Sequence, residues 1–225
     1  IADLALVEAD PSITKAHGGP LDAVVLVGHH ASTGSPRGFS SHTFVWEMEV
    51  SLDGEPLNET QVYAQGLAAE GIPVLLATGD RWMLEELGDG ELGSARLLAT
   101  KEGQGRARAG SRDPESVRAE IAGSIAAALA APLRPPPARD YPAQLRIAVA
   151  GVELAKTTVS EPSDLLTAIA TVFRTSQVSR EYRQLAKLLP ARGGSRARDA
   201  QRRFGSLVAA PVMLAKERRW LASGP

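Results

Sequence analysis

The chain is 225 residues long, 44% apolar, with a formal net charge of −1. Those values describe a globular chain large enough for one large domain or two small ones, and they exclude a disordered polymer and a globally basic nucleic-acid binder. No apolar run approaches the roughly 20 residues that span a bilayer. Cysteine is absent, which removes disulfides, thiolate metal sites and a cysteine nucleophile. Any metal must rest on His, Asp and Glu. Lack of cysteine and of a signal-peptide pattern suits a cytoplasmic enzyme.

The sequence opens on Ile1 inside an apolar pattern, A-D-L-A-L-V-E-A-D, that reads as the end of one unit and points to a processed, split or trimmed polypeptide. Residues 3–8 have the composition of a short strand, closed by Asp10-Pro11, and His17-Gly18-Gly19-Pro20 is a loop. Ala23–Val27 is a continuous apolar run of strand length, as in a buried parallel strand. Gly28 frees the backbone, and His29-His30 falls where such a strand delivers polar side chains. Alternation predicts that the two rings point opposite ways.

Residues 31–41, rich in Ser, Gly and Pro, form a loop. From Thr43 to Val50 the pattern alternates, predicting a half-buried strand with Phe44, Trp46, Met48 and Val50 inside and Thr43, Val45, Glu47 and Glu49 outside. Asp53-Gly54 signals a tight turn. Asn58 with Gln61 three residues on is a capping box, and the helix it opens runs to about Glu70 and stops at Gly71. Glu59 lies in its first turn, where the helix dipole favours an anion. A second buried strand, Val74–Ala77, ends in Thr78-Gly79-Asp80. This strand–helix–strand spacing predicts α/β winding.

Arg81–Leu87 reads as a short helix and Ala95–Ala99 as a strand. The loop Lys101-Glu102-Gly103-Gln104-Gly105-Arg106 is basic and glycine-rich without the spacing of a phosphate-binding P-loop. Asp113-Pro114-Glu115 starts an alanine-rich helix. Residues 132–142 are proline-rich and read as a linker. Beyond it come a strand over Gln144–Val149, a helix from Ser163-Asp164 to about Arg174, a helical segment at 181–189 and an arginine-rich stretch at 192–203. That last stretch lacks the interleaved aromatics that stack bases, so no nucleic-acid role is expected.

His30 at a strand end and Glu59 at a helix start are the hard-ligand types that suit zinc without thiolates. The run V-L-V-G-H-H-A-S-T-G-S-P-R-G-F-S-S-H-T over residues 25–43 resembles the G-Y-H-A…G-T…L-A-H-T signature of the zinc-dependent D-aminopeptidase family. The similarity continues through L-D-G-E-P-L-N-E-T-Q-V-Y-A, V-L-L-A-T-G-D and T-K-E-G-Q-G-R-A-R. The resemblance implies hydrolysis of small peptides or amides at a free N-terminal D-residue by a two-zinc site. It implies His30 and Glu59 as metal ligands, His42 as a catalytic residue that does not bind metal, and an oligomeric assembly. Lys101 and Arg106 match the family's basic loop, as substrate-binding groups or subunit-contact residues.

Two family motifs, D-x-E-G on a first strand and D-S-H-G on a later one, also supply metal ligands there, and neither occurs in this sequence. The expectation is therefore an enzyme completed by an N-terminal partner polypeptide or fragment. The alternative is a non-catalytic scaffold or binding subunit. A metal-independent site would need one of Ser32, Ser35, Ser40 or Ser41 beside His42. For architecture, the sequence predicts an α/β core over 1–131 with a parallel or mixed sheet flanked by helices, a linker at 132–142, and a smaller α+β region over 143–225.

Overall fold

A computed structural model describes residues 21–45, 47–149 and 151–175. The expected strand at 3–8, His17, Trp46, the helical segment at 181–189 and the arginine-rich stretch at 192–203 lie outside the described residues. The fold is α/β, a mixed sheet with flanking helices together with an antiparallel sheet. The apolar runs read from the sequence become β1 (Val24–His29), β4 (Val74–Asp80) and β5 (Arg96–Gly103). These three pair in parallel, and a short β6 (Ala109–Ser111) adds antiparallel to β5, giving the order β1-β4-β5-β6. All seven residues of β4 are buried, as expected of a central parallel strand that opens on the apolar run Val74–Ala77.

The second sheet is antiparallel, in the order β3-β2-β7-β8, from β2 (Met48–Leu52), β3 (Glu55–Leu57), β7 (Ala143–Val149) and β8 (Val152–Val159). β2 and β3 form the hairpin signalled by Asp53-Gly54, with φ of 51° and 88° at the two turn residues, as a hairpin turn of primed type demands. The sheet draws strands from both sides of the proline-rich segment. That segment lies against the body: Pro137 O accepts from the Gln65 amide, Arg139 N donates to Gln65 Oε1 at 2.9 Å, and Arg134 N donates to Ser94 Oγ at 2.8 Å.

The expected strand over Thr43–Val50 is shorter in fact, beginning at Met48. Phe44 and Glu47 adopt φ of 61° and 62°, and Val45 N and Met48 N donate to Thr43 O and Val45 O. The backbone turns twice before it extends, so the expected faces hold only from Met48 on: Thr43, placed outside by the alternation, is buried, and Phe44 is only half-buried.

Helix α1 (Glu59–Glu70) joins the two sheets. The capping box forms as read, Asn58 taking Gln61 N and Gln61 taking Asn58 N, and Gly71 closes the helix in the left-handed conformation. Eight consecutive residues, Thr60 to Leu67, are buried, which marks a helix enclosed on all sides rather than an amphipathic surface helix. Val62 packs into the core of the antiparallel sheet with Leu145, Ile147, Leu165 and Ile169. Ala64 and Leu67 pack into the core of the mixed sheet with Leu26, Val74 and Ala77. The helix that carries Glu59 is thereby fixed against both layers. Helix α2 (Arg81–Glu85) follows β4, α3 (Pro114–Leu129) contacts β4 and β5, and α4 (Pro162–Thr175) packs on α1 and β8. Among the described residues no helix is long and apolar enough to cross a membrane.

Candidate active site

The end of β1, the loop that follows it and the start of α1 meet at one place. The loop closes on itself, because His42 N donates to Ala31 O at 3.0 Å, so His42 returns beside His30 with ring centroids 4.9 Å apart. On the other side, His42 Nε2 lies 4.0 Å from Glu59 Oε2. Three of the expected site residues, His30, His42 and Glu59, therefore converge from three stretches of chain.

Both rings are held by backbone carbonyls. His30 Nδ1 meets Phe39 O at 2.9 Å and His42 Nδ1 meets Ser40 O at 2.6 Å. A carbonyl only accepts, so each Nδ1 carries a proton. Ser40 presents its carbonyl from a left-handed conformation, φ 55°, a cost typical of residues that orient a site. His29 points elsewhere, as alternation predicts: its Nδ1 is 2.8 Å from Thr60 Oγ1 and its ring stacks edge-on against Tyr63.

Burial sets the electrostatics. It pushes the His29 and His30 rings down to about 4, with the nearby Lys101 charge acting in the same direction. Burial raises the Glu59 carboxyl, partly offset by His42 and by the Phe44 backbone N–H. Burial lowers Lys101, partly offset by Asp80. Unfolded, His29 and His30 take up a proton near 6.5, and folded only near 4, so stability is lost as pH falls through that window. Glu59, raised in the fold, works weakly in the opposite sense. We expect Tm to drop by about 5 °C between pH 7 and 5, and His29→Gln to flatten that slope in a calorimetric pH series. An unchanged slope in the variant would remove His29 as its source.

Lys101 sits opposite Asp80 across the β4–β5 pair, with Nζ 5.8 Å from the centroid of the Phe39 ring that also neighbours His30. Arg106 pairs instead with Glu47, and its carbonyl accepts from Ser40 N at 3.0 Å. Among the serines, Ser32 gives its hydroxyl to Glu86 and Ser41 gives its own to Ser35 O. His42 Nδ1 donates to a carbonyl, Ser40 O.

Sequence reasoning passed over Asp80. Its carboxylate is fully buried and takes three backbone N–H groups: Phe39 at 2.6 Å, Gly103 at 3.1 Å and Trp82 at 3.2 Å. Phe39 is the residue whose carbonyl holds His30, so Asp80 fixes that ring at one remove. Gly103 permits the contact. A Cβ there would stand 2.3 Å from Arg37 O and 2.4 Å from Phe39 N, closer than atoms approach. The readable signal was an Asp at the carboxyl end of a buried strand and directly before a helix, an N-cap position.

Among the described residues no three His, Asp or Glu side chains are grouped so as to hold a metal ion. Comparison with known proteins gives three results. No curated protein matches the chain. A solved structure, the zinc-dependent D-aminopeptidase DppA of Bacillus subtilis, a self-compartmentalizing protease, superimposes with a TM-score of 0.58 at 18% identity. The match covers 68% of this chain and 62% of that one, so the chain spans less than two thirds of that protein's length. At this identity the likeness shows the fold, a mixed α/β arrangement in both. The sequence model of the D-aminopeptidase family matches residues 13–186. Over most of its length, then, the chain belongs to the D-aminopeptidase family.

Proposed function

We propose that this chain is the larger part of a metal-dependent hydrolase that cleaves the amide bond after a free N-terminal D-residue in small peptides or amides. The observation that carries the proposal is the convergence of His30, His42 and Glu59, held by backbone hydrogen bonds and by a helix buried on all sides. His42 is the proton carrier. With Nδ1–H committed to Ser40 O, Nε2 exchanges the proton with the leaving amine or the attacking water. Lys101, a half-buried cation beside the site, anchors a substrate carboxylate, and Arg106 has a lesser share because it already serves Glu47. Family membership and the neighbour's self-compartmentalizing assembly support an oligomer.

His30 and Glu59 have the right chemistry for zinc, with His30 Nε2 left as a donor by its Nδ1 hydrogen bond. Zinc in a protein takes at least three protein ligands, and the described residues do not supply them. They do not form a zinc site by themselves. In this proposal His30 and Glu59 are part of the set, and an N-terminal partner polypeptide or fragment supplies the rest for the two ions. The missing third ligand also supports a second reading, a non-catalytic scaffold or binding subunit of the same family.

Assay of the full chain for release of free amino acid from D- and L-amino-acid amides, with and without added zinc, separates the two. Zinc-stimulated release from the D-series supports the hydrolase. No release under either condition, with the co-purifying polypeptides retained, leaves the scaffold.

A further inference from the structure

Glu86 has no place in the chemistry proposed above, yet its surroundings are unusual for a half-buried carboxylate. Oε1 and Oε2 receive the Ser32 N–H at 3.2 and 2.9 Å, Oε1 receives the Ser32 hydroxyl at 3.0 Å, and Oε2 receives the Asn58 amide at 3.0 Å. Among the described residues no Lys, Arg or His forms an ion pair with it. Its partners are neutral donors, and they belong to two segments only. Ser32 follows His30 by two positions. Asn58 is the N-cap directly before Glu59.

The grip extends to the backbone. Glu86 O accepts from the Gln61 side chain at 3.3 Å, and Gln61 is the other half of the capping box with Asn58. Asn58 is fully buried and uses its oxygen for Gln61 N and its nitrogen for Glu86, so its amide cannot turn. Glu86 itself is fixed as the residue closing α2, with its N–H on Trp82 O at 3.2 Å. The opposite end of that helix is Asp80, which holds the Phe39 loop. The short helix is thus a brace with a carboxylate at each end.

We propose that Glu86 is a positioning residue that locks the segment carrying His30 to the helix start carrying Glu59 and so sets their relative placement. The energetic reason is that charged acceptors make the stronger hydrogen bonds, and one carboxylate serving two segments couples them as a cap or turn confined to either segment does not. The inference rests on the assignment of His30, His42 and Glu59 to one site.

The test compares the full-length wild-type chain with Glu86→Gln and Glu86→Ala, by kinetics on a D-amino-acid amide and by the imidazole nitrogen resonances of His30 and His42. Gln keeps the shape but turns one oxygen into a donor facing donors, so one arm is lost; Ala loses both. The expected loss in kcat is about tenfold for Gln and about a hundredfold for Ala, as for groups that orient ligands at one remove, with KM within twofold. The His30 resonances should move in both variants, while the amides of the antiparallel sheet stay in place. A lower Tm with unmoved His30 resonances and unchanged kcat would overturn the proposal and leave Glu86 a stabilising contact. If Glu86→Ala does not fold, the isosteric Gln variant decides alone. If wild type purified with its accompanying polypeptides hydrolyses nothing, the hydrolase proposal fails, while the resonances still decide the role of Glu86.

Discussion

Replacing His42 with alanine is expected to lower kcat on a D-amino-acid amide by about 10²–10⁴-fold, the usual share of a positioned acid–base group, while KM changes little. The ring's proton inventory is the reason. Ser40 O fixes the proton on Nδ1, so in this proposal transfer runs through Nε2, which lies 4.0 Å from Glu59 Oε2. The loop that presents the ring is held independently, by His42 N on Ala31 O and Ser40 N on Arg106 O, so truncation of the ring should leave its backbone in place. Tm is expected within about 3 °C of wild type, since the ring is only part-buried. Activity of the variant within fivefold of wild type would remove His42 from the chemistry.

The second large effect is on stability. Asp80→Ala should cost about 4 kcal/mol, because three backbone N–H groups lose a charged acceptor at once and Gly103 N is buried. In a chain of this size that is roughly 10 °C in Tm. Asp80→Asn keeps one acceptor oxygen and should lose about half as much. Lys101 also loses the negative charge that offsets its burial. Thermal unfolding of the two variants checks the ordering. An Ala variant as stable as wild type would mean that water replaces the carboxylate freely, and that His30 is not held through Phe39.

Local chemistry was legible in the sequence wherever a single stretch determines it. The capping box at Asn58-Gln61 and the stop at Gly71 follow from side chains reaching their own backbone, and both form. The buried run before Thr78-Gly79-Asp80 could only be a central strand, and it is one. The alternation over Thr43–Val50 misled because composition alone does not reveal that residues 43–47 turn before the strand begins at Met48. The left-handed residues Phe44 and Glu47 mark the turns, and bulky side chains give no notice of positive φ. Proline density at 132–142 reports the absence of helix and strand, but not that Gln65 and Ser94 use the segment's polar groups. Pairing of β2 with β7 crosses that segment, and periodicity reports an extended strand without naming its partner.

The same limit applies to the site. His30, His42 and Glu59 could be singled out because residue type and family order mark them. Their supports could not. Glu86 follows a short helix and has no motif around it, and its meaning comes from contacts with Ser32 and Asn58, 54 and 28 positions away. Asp80 carried a weaker signal in its N-cap position, but the partners Phe39 and Gly103 come from loops whose course no local rule supplies.

The central claim is that His30 and Glu59 contribute to a zinc site completed from outside the described residues. Its most direct test is the zinc-to-chain ratio, by elemental analysis, of protein purified from its native source together with any short chain that accompanies it, beside a His30→Ala variant expressed in the same host. Near-stoichiometric or higher zinc is expected in the wild type, and a fall of about tenfold or more in bound zinc when His30 is removed. Wild-type protein without zinc, or zinc that stays bound in the variant, would contradict it.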